Sequence, residues 1–373
     1  MSNFYIYNAA RERIGILQHD DAVQWLENYQ SPGEVKIDAQ ATQANYAMLI
    51  EGNRIYNADT NTVARICHVD LVQTDAEELI TVRADITSEL LSDRVVMATE
   101  QAAVVETAMY GIYDRNRRDL PIAVGSAEGY TERTDMEITW GSVLDAVKKL
   151  AEVSGLGFTV RFDPETGEEV FKVYKGVDRS NEENPGYIGY FGTDVGNIQN
   201  VSVTSGTTDY KNVAVVAGAE TGAAREVRIV SLGNVSGENR RELYVDARDL
   251  QREYQVATPT GEYDEHGNPI YTYETRTYTD AEYYAILDAR GREKLAECLR
   301  TFSITCTIVQ NNILYGSDYF LGDRMPIKLP EYGIYASARI SSVTMVYERD
   351  GNKIIALLSL SLIHIYEPTR LDV

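Results

Sequence analysis

Short runs of alternating apolar and polar residues, separated by turns rich in glycine, are the sequence feature that most limits the fold. In the clearest run, apolar side chains occupy every second position: Leu156, Phe158, Val160 and Phe162. A turn at 163–167 follows, and the segment 170–174 then returns with further apolar residues. Alternation with a period of two is typical of half-buried strands, so the sequence predicts an antiparallel hairpin here.

The same pattern covers the N-terminal region. Short strands are predicted at 5–7, 15–17, 35–38, 63–69 and 79–84. Polar turns separate these strands, and a short helix at 86–91 is predicted to close the region. Strands of this length and spacing favour a small antiparallel barrel or sandwich.

Helical signals follow the first strands. Apolar residues recur at helical spacing and predict a helix from Thr99: Val105, Ala108, Met109 and Ile112. A clearer helix begins at the cap Ser142, with Asp145 three residues later, and ends at Gly155. Helix and hairpin together predict a region of mixed α and β structure.

A polar, tyrosine-rich arm and a further helix are predicted in the C-terminal half. Between Gln251 and Asp280 the chain reads as an extended β-arm, with a turn candidate at 264–269. The segment 279–282 matches a capping box, which predicts a helix through about Arg300. One stripe of this helix is predicted to be apolar: Tyr284, Leu287, Gly291, Leu295 and Cys298.

Tyrosine is unusually abundant, with 26 Tyr against 7 Phe and 2 Trp. Tyrosine combines a rigid apolar ring with a hydroxyl group, so it is enriched at contact surfaces. Two interpretations stay open: the tyrosines fill half-buried strands, or some of them contact a partner. On the arm, Tyr263, Tyr271 and Tyr273 are the predicted partner-contact residues.

The acidic composition excludes some partners. The chain has 57 Asp and Glu against 35 Lys and Arg, which gives a net charge of −22 at pH 7. Such a surface repels phosphate, so we expect no tight binding of nucleic acid. The three cysteines lack C-x-x-C spacing and predict neither a disulfide scaffold nor a zinc site. We expect a soluble protein without a signal peptide or a membrane span.

The sequence lacks the motifs of common catalytic and cofactor sites: G-x-S-x-G, G-x-x-x-x-G-K-[ST] and H-E-x-x-H. Gly155 and Gly157 begin a dinucleotide fingerprint, but Val160 occupies the third glycine position. His19 and His68 lie beside aspartates without a recognisable nucleophile, and we interpret them as solvated. The sequence therefore predicts no catalytic residue, no cofactor and no metal site.

Adjacent carboxylates are further candidates for acid–base chemistry. The pairs at 77–78, 168–169 and 182–183 fall in predicted loops, and we interpret them as solvated. The segment 114–119 offers oxygen ligands but lacks the glycine and the terminal glutamate of a calcium loop. We interpret it as a salt-bridged loop or a subunit contact.

The C-terminal segment differs in character from the rest. Residues 360–370 resemble the conceptual translation of a sequencing adapter, with Tyr366 where a serine is expected. The alternative is a natural terminal strand. We predict that 360–373 is not native and leave His364 out of any site.

Several ordered motifs resemble a known family: 154–158, 174–180, 209–218, 240–250, 290–297 and 315–323. Together they resemble the siphophage tail proteins of the ReqiPepy-type gene-product-37-like family, which are similar to the baseplate hubs of tailed phages. The resemblance covers nearly the whole chain up to the adapter-like segment. The N-terminal part departs more from the pattern and keeps Trp25 and the turns at 32–33 and 52–53.

The resemblance implies an α+β, mostly β fold with two small antiparallel β-barrels, like those of hubs that form homotrimeric rings. The implied domains are a first barrel at 1–95, a mixed α/β domain at 96–196, a second barrel at 197–232 with 301–358, and an insertion at 233–300. Gly322 and Asp323 resemble a turn that starts a barrel strand. No catalytic residue is implied.

Two functions of different classes follow. The first is a structural, non-enzymatic hub of the virion, assembled in the host cytoplasm. It would join the tail tube to distal tail proteins and to tail-fibre or tip proteins, and let DNA pass along an acidic lumen without specific binding. The second is a carbohydrate-binding or carbohydrate-active tail module that contacts the host surface.

Overall fold

The computed structural model divides the chain into two compact units. The first comprises Met1–Val203 with Ser303–Val373, and the second comprises Thr204–Phe302. The structure describes these residues: 4–17, 20–73, 78–98, 100–134, 136–138, 140–184, 186–263, 269–298, 300–348 and 351–359. The adapter-like segment 360–373 lies outside the described residues.

Strands fill the N-terminal part of the first unit. The elements are β1 (Phe4–Tyr7), β2 (Arg13–Ile16), β3 (Asp20–Asn28), β4 (Glu34–Gln40), α1 (Gln43–Met48), β5 (Arg54–Asn57), β6 (Thr62–Gln73) and β7 (Glu78–Ile86). Along β4, Val35, Ile37 and Ala39 are buried, whereas the residues between them are at least partly exposed. Because successive side chains point to opposite faces, this alternation fixes which face of β4 lies on the core.

Helices and short strands make up the next part of the chain. The elements are β8 (Val95–Val96), β9 (Glu100–Gln101), α2 (Val105–Asn116), β10 (Ala123–Val124), β11 (Glu137–Ile138), β12 (Gly141–Ser142), α3 (Val143–Ser154), β13 (Gly157–Phe162), β14 (Glu169–Tyr174), β15 (Phe191–Gly192) and β16 (Ile198–Gly206). Buried apolar side chains of α2, α3, β13 and β14 form one core. The predicted hairpin is confirmed, with Phe158 of β13 opposite Val173 of β14.

The predicted ends of α3 are confirmed. The Ser142 hydroxyl accepts a hydrogen bond from the backbone N–H of Asp145 at 2.9 Å. Gly155 ends the helix with a φ of 74°, in the left-handed region that favours glycine. Helix α2 begins at Val105 and not at Thr99, because the residues before it pair as a strand with β11.

The second unit is a three-stranded sheet packed on a helix, with a separate hairpin. The elements are β17 (Val213–Ala217), β18 (Val227–Ser231), β19 (Glu242–Asp246), β20 (Glu253–Tyr263), β21 (Pro269–Thr277) and α4 (Asp280–Ala296). In the sheet, β18 is antiparallel and β19 parallel to β17. Gly291 of α4 permits close packing on the sheet, since a Cβ there would lie 2.8 Å from Val230 Cγ2.

The capping box of α4 is confirmed, but the predicted stripe needs two corrections, at Tyr284 and at Cys298. The Thr279 hydroxyl accepts from the Glu282 N–H, and the Glu282 carboxylate accepts from the Thr279 N–H. The buried stripe consists of Tyr283, Leu287, Gly291 and Leu295. Tyr284 is only half-buried because the helical rotation brings its neighbour Tyr283 to face the sheet. The helix ends at Ala296, before Arg300, so Cys298 lies beyond the helix and is not part of its stripe.

The C-terminal strands complete the sheet of the first unit. They are β22 (Thr301–Ile308), β23 (Arg324–Leu329), β24 (Ile334–Glu348) and β25 (Gly351–Ser359). Strand β24 pairs antiparallel with β25 on one side and with β3 on the other, so that Val343 lies opposite both Ala356 and Glu27. Within the described part of the chain, N-terminal and C-terminal strands therefore belong to one 16-stranded sheet.

The fold class is α+β and mostly β, as expected. The pairings found among the described residues do not close a barrel, and the two barrels stay a prediction. The division that the resemblance implies, with 197–232 and 301–358 in one barrel, stays a prediction. Strands β17 and β18 pair with β19 in the three-stranded sheet of the second unit.

Candidate interaction surfaces

The histidine candidate on β6 is a solvent-exposed pair. His68 Nε2 lies 2.9 Å from Asp70 Oδ2, and both side chains are about half exposed, as the solvated interpretation predicts. His19 and Glu77 lie outside the described residues. Within the described part of the chain, no group of three or more His, Cys, Asp or Glu side chains is placed to hold a metal ion.

Glu169 contradicts the solvated interpretation of the pair at 168–169. Its carboxylate is fully buried on β14, forms an ion pair with Arg54 at 2.9 Å and is hydrogen-bonded to Arg11. Strand alternation turns Glu169 inward, and the two guanidinium groups neutralise its charge. The cluster is therefore a structural one. The pair at 182–183 is exposed, as predicted.

The two tryptophans occupy opposite environments. Trp25 is fully buried on β3, where its ring stacks on Phe4 with centroids 5.7 Å apart. Trp140 lies immediately before β12, is 70% exposed and has a backbone φ of 33°. A bulky residue in the left-handed region is uncommon, and such strain concentrates at functional positions. Trp140 is therefore a candidate contact residue.

Trp140 belongs to an exposed apolar surface, here named the Trp140 surface: Val95, Met97 and Trp140. Antiparallel pairing of Val96 with Gly141 brings positions 97 and 140 to the same end of β8 and β12. Exposed apolar patches mark contact sites, and tryptophan is enriched among the residues that dominate binding energy.

The arginine-rich segment 114–119 borders the Trp140 surface. Arg118 donates a hydrogen bond to the carbonyl of Val95 at 3.0 Å. Arg117 pairs with Asp114 at 3.1 Å, so the predicted ion pair is present, but it lies across the last turn of α2 and not in a loop. The alternative of a subunit contact stays a prediction. Apolar side chains and guanidinium groups therefore lie side by side on this part of the molecule.

The predicted β-arm is confirmed as the hairpin of β20 and β21. Antiparallel pairing places Pro259 opposite Tyr271, and Tyr263 opposite Pro269. Tyr273 is exposed on β21. Contact of Tyr263, Tyr271 and Tyr273 with a partner stays a prediction.

Motifs that carry the family resemblance meet around Tyr29 in the first unit. The Tyr29 hydroxyl donates to the Gly155 carbonyl at 3.0 Å and accepts from the Gly176 N–H at 3.1 Å. Gly322 lies against the same ring, since a Cβ there would be 2.2 Å from Tyr29 Cε2. Only glycine fits this contact. We name the group of Tyr29, Gly155, Gly176, Gly322 and Asp323 the Tyr29 joint.

Asp323 ties the Tyr29 joint together by charge and hydrogen bonds. Its carboxylate accepts from the Val177 N–H at 2.7 Å, from Arg179 Nε at 2.8 Å and from the Phe320 N–H at 3.1 Å. The side chains of Asp323 and Arg179 are 2% and 13% exposed. A buried carboxylate with these partners is satisfied. The turn at 322–323 directly precedes β23, in agreement with the strand-starting role that the resemblance implies.

Burial keeps the phenols of this region protonated. It raises the pKa of Tyr29 and raises the pKa values of Tyr174 and Tyr315 further. Burial also lowers the pKa of Arg339, whose guanidinium lies 5.0 Å from the Tyr29 ring centroid and donates to the Gly322 carbonyl at 2.7 Å. An arginine stays charged in proteins. The Tyr29 joint is therefore a hydrogen-bonded network that connects segments of the first unit that are far apart in sequence.

Comparison with solved structures defines the class of fold. The chain is similar to the 43 kDa tail protein of prophage MuSo2 from Shewanella oneidensis, with a TM-score of 0.57, 10% identity and coverage of 95% of this chain and 97% of that one. For a tail protein from Neisseria meningitidis MC58 the TM-score is 0.56, the identity 12% and the coverage 96% of each chain. For prophage tail protein gp18 from Listeria monocytogenes EGD-e the TM-score is 0.50, with 12% identity and coverage of 96% and 95%. The fold is that of phage tail proteins.

A family model makes the assignment more specific. The model described as siphovirus ReqiPepy6 Gp37-like protein matches residues 3–358. The chain belongs to this siphovirus tail protein family, and the resemblance seen in the sequence is confirmed. Comparison with curated proteins gives no match. Among the described residues, no helix combines the length and the apolar character needed to cross a membrane.

Proposed function

We propose that this tail protein is a structural, non-enzymatic component of the tail tip or baseplate. Copies of the chain form a ring-shaped hub that joins the tail tube to distal tail proteins, and the hub assembles in the host cytoplasm. Membership of the siphovirus family supports the place in the virion.

The Trp140 surface is the observation that best supports the formation of a ring. Its centre is apolar, and Arg117 and Arg118 lie beside it. Every copy of the chain carries a net charge of −22, so the guanidinium groups complement the acidic surface of a neighbouring copy. Its occupant is therefore a second copy of this chain.

The ring is proposed to be a homotrimer, as the resemblance to hubs implies. Its head-to-tail interface closes by rotation, because an interface that does not close would grow into a filament. Each copy contributes barrel segments at 1–95 and at 197–232 with 301–358, so that three copies imitate a six-fold tube. Carboxylates line the lumen and repel phosphate, and DNA passes without specific binding.

Light scattering and negative-stain imaging of the purified protein test the hub. We expect trimeric rings at micromolar concentration, and we expect Trp140→Ala to shift the protein toward monomer. Tyr332→Ala is the matched control, because Tyr332 is equally exposed at another site. A protein that stays monomeric, a stable dimer, or equal loss of trimer in both variants would contradict the proposal.

The hairpin of β20 and β21 is proposed to contact a neighbouring tail protein or a tail-fibre or tip protein. Tyr263, Tyr271 and Tyr273 supply rigid, amphipathic contact area for this purpose. Deletion of 259–275 should leave the rest of the chain folded and prevent its incorporation into tails. Phage that carry the deletion and infect normally would refute this contact.

A carbohydrate-binding tail module is the second candidate function. One observation favours it: a polar cavity in the second unit, lined by arginine, asparagine and tyrosine. A carbohydrate-active module would need in addition a pair of catalytic carboxylates at this cavity.

A further inference from the structure

The second unit contains a polar cavity of about 430 Å³. Its lining offers guanidinium, amide, hydroxyl and carboxylate groups together with one aromatic ring: Tyr210, Asn234, Ser236, Glu238, Arg241 and Arg300. Cavities of this volume accept small ligands. The mixture of groups points to a polar ligand.

Two cationic groups of this cavity lack acidic partners. The Arg300 guanidinium carbon lies 4.9 Å from the Tyr210 ring centroid, and Arg241 donates to the Thr207 carbonyl. Neither arginine forms an ion pair within the described residues, whereas Arg240 pairs with a glutamate at 2.6 Å. Stacking occupies the face of a guanidinium and leaves its in-plane N–H donors able to bind an anion.

Asn212 fixes the cavity wall that carries Arg241. Its buried side chain donates to the Asn239 carbonyl at 2.7 Å and accepts from the Arg241 backbone N–H at 2.8 Å. Two segments of the lining are thereby joined before any ligand arrives. A wall held in this way reduces the ordering cost of binding.

We propose that this cavity binds an anionic saccharide, a sugar that carries a phosphate or carboxylate group. Arg241 and Arg300 bind the oxyanion, and Asn234 and Ser236 bind sugar hydroxyls. Glu238 is exposed, and its carboxylate accepts hydrogen bonds from sugar hydroxyls. Its negative charge disfavours the binding of an anion that carries no sugar. This inference names the ligand of the carbohydrate-binding alternative and does not depend on the ring hub.

Calorimetric titration of the full chain with glucose 6-phosphate and with glucuronate tests the ligand class. We expect saturable binding of at least one of them, with glucose and inorganic phosphate weaker by about tenfold or more. Equal binding of glucose would overturn the role of the anion, and equal binding of inorganic phosphate would overturn the role of the sugar. Absence of saturable binding by both anionic sugars would overturn the site itself.

The saccharide could come from the host surface or be a free sugar phosphate, and a further titration distinguishes these two sources. This titration uses fragments of a phosphate-bearing cell-wall glycan. Tighter binding of the glycan than of glucose 6-phosphate supports a ligand on the host surface. Equal affinities support a free sugar phosphate of the same chemistry.

Substitution of one cavity arginine and one neighbouring arginine tests the assignment of residues. Arg300→Gln should weaken binding by about tenfold or more. Arg240→Gln is the matched control and should bind like the unaltered protein, because Arg240 does not line the cavity and pairs with Glu242. Unchanged binding by Arg300→Gln, or equal losses in both variants, would overturn the proposal. Ring formation is measured separately by light scattering, so failure of the saccharide site and failure of the hub are distinguishable.

Discussion

The Tyr29 joint of the first unit and the polar cavity of the second unit use arginine in opposite ways. In the joint, Arg179 is largely buried and is paired with Asp323. In the cavity, Arg241 is half-buried and Arg300 exposed, and neither has an acidic partner among the described residues. Burial of a charge is costly unless the charge is paired, so Arg179 is committed to the fold. Family motifs include residues of both regions, so membership of a motif does not reveal what an arginine does. An arginine that is paired with a carboxylate serves packing, whereas an arginine without an acidic partner is available to bind a ligand.

The largest effect is expected from Asp323→Ala, which leaves Arg179 largely buried and unpaired. We expect a loss of about 3–5 kcal/mol in the free energy of unfolding, measured by urea denaturation. The double variant Asp323→Ala with Arg179→Met should recover part of this loss, because the unpaired charge of Arg179 is then removed as well. A loss below about 1 kcal/mol in the single variant would show that the joint is not a committed ion pair.

Gly322→Ala tests the close approach to Tyr29. Its Cβ would clash with the ring, and we expect a loss of about 1–3 kcal/mol beyond that of the control Gly316→Ala. Both glycines have a positive φ, 93° and 82°, but a Cβ at Gly316 meets open space. The difference between the two variants in urea denaturation isolates the clash from the backbone strain. Equal losses would mean that backbone conformation alone requires Gly322.

A smaller effect on stability is expected for the partly exposed ion pair between Lys175, of the motif at 174–180, and Glu132. The hydrogen bond from Lys175 lowers the pKa of Glu132 below its ordinary value of 4.5. Stability from this pair is therefore present above about pH 4.5 and is lost as the pH falls through the lower folded value. Because the pair is partly exposed, we expect less than about 1 kcal/mol, measured as a smaller acid-induced loss in Glu132→Gln than in the unaltered protein. Identical pH profiles would contradict it.

The smallest effect is expected from Arg300→Gln. Its described contact is the Tyr210 ring, so the free energy of unfolding should change by no more than about 0.5 kcal/mol even though saccharide binding is weakened by about tenfold or more. Thermal or urea unfolding of the ligand-free variant measures this change. A loss as large as that of Asp323→Ala would make Arg300 a structural residue and would remove the contrast between the two regions.

Local signals in the sequence predict many elements because caps and alternation act over a few residues. Ser142, Gly155 and Thr279 mark helix ends, and the hairpin of β13 and β14 follows from alternation. Strand β3 is not predicted from the sequence, because the charged Glu27 interrupts the alternation of apolar residues. The buried positions of this strand are Val23, Trp25 and Glu27. That carboxylate is buried only because Trp25 Nε1 and a threonine hydroxyl of β6 donate to it.

The interaction surfaces depend on contacts between residues that are far apart in sequence. Glu169 is buried because Arg54 and Arg11 reach it from the N-terminal strands. Trp140 gives a sequence signal only as a tryptophan just before the cap Ser142, and its exposure is set by the pairing of β8 with β12. The cavity likewise requires Arg300 to approach Tyr210, which no local pattern encodes.

The pairing of β3 with β24 has a consequence for the order in which the chain can fold during translation. Glu27 lies opposite Val343, so one edge of β3 has no native partner until β24, more than 300 residues further along the chain, has left the ribosome. The second unit is continuous in sequence and has all of its residues once Phe302 is made. A nascent or prematurely terminated chain that lacks β24 therefore presents β3 as an open strand edge, a template on which other chains can aggregate.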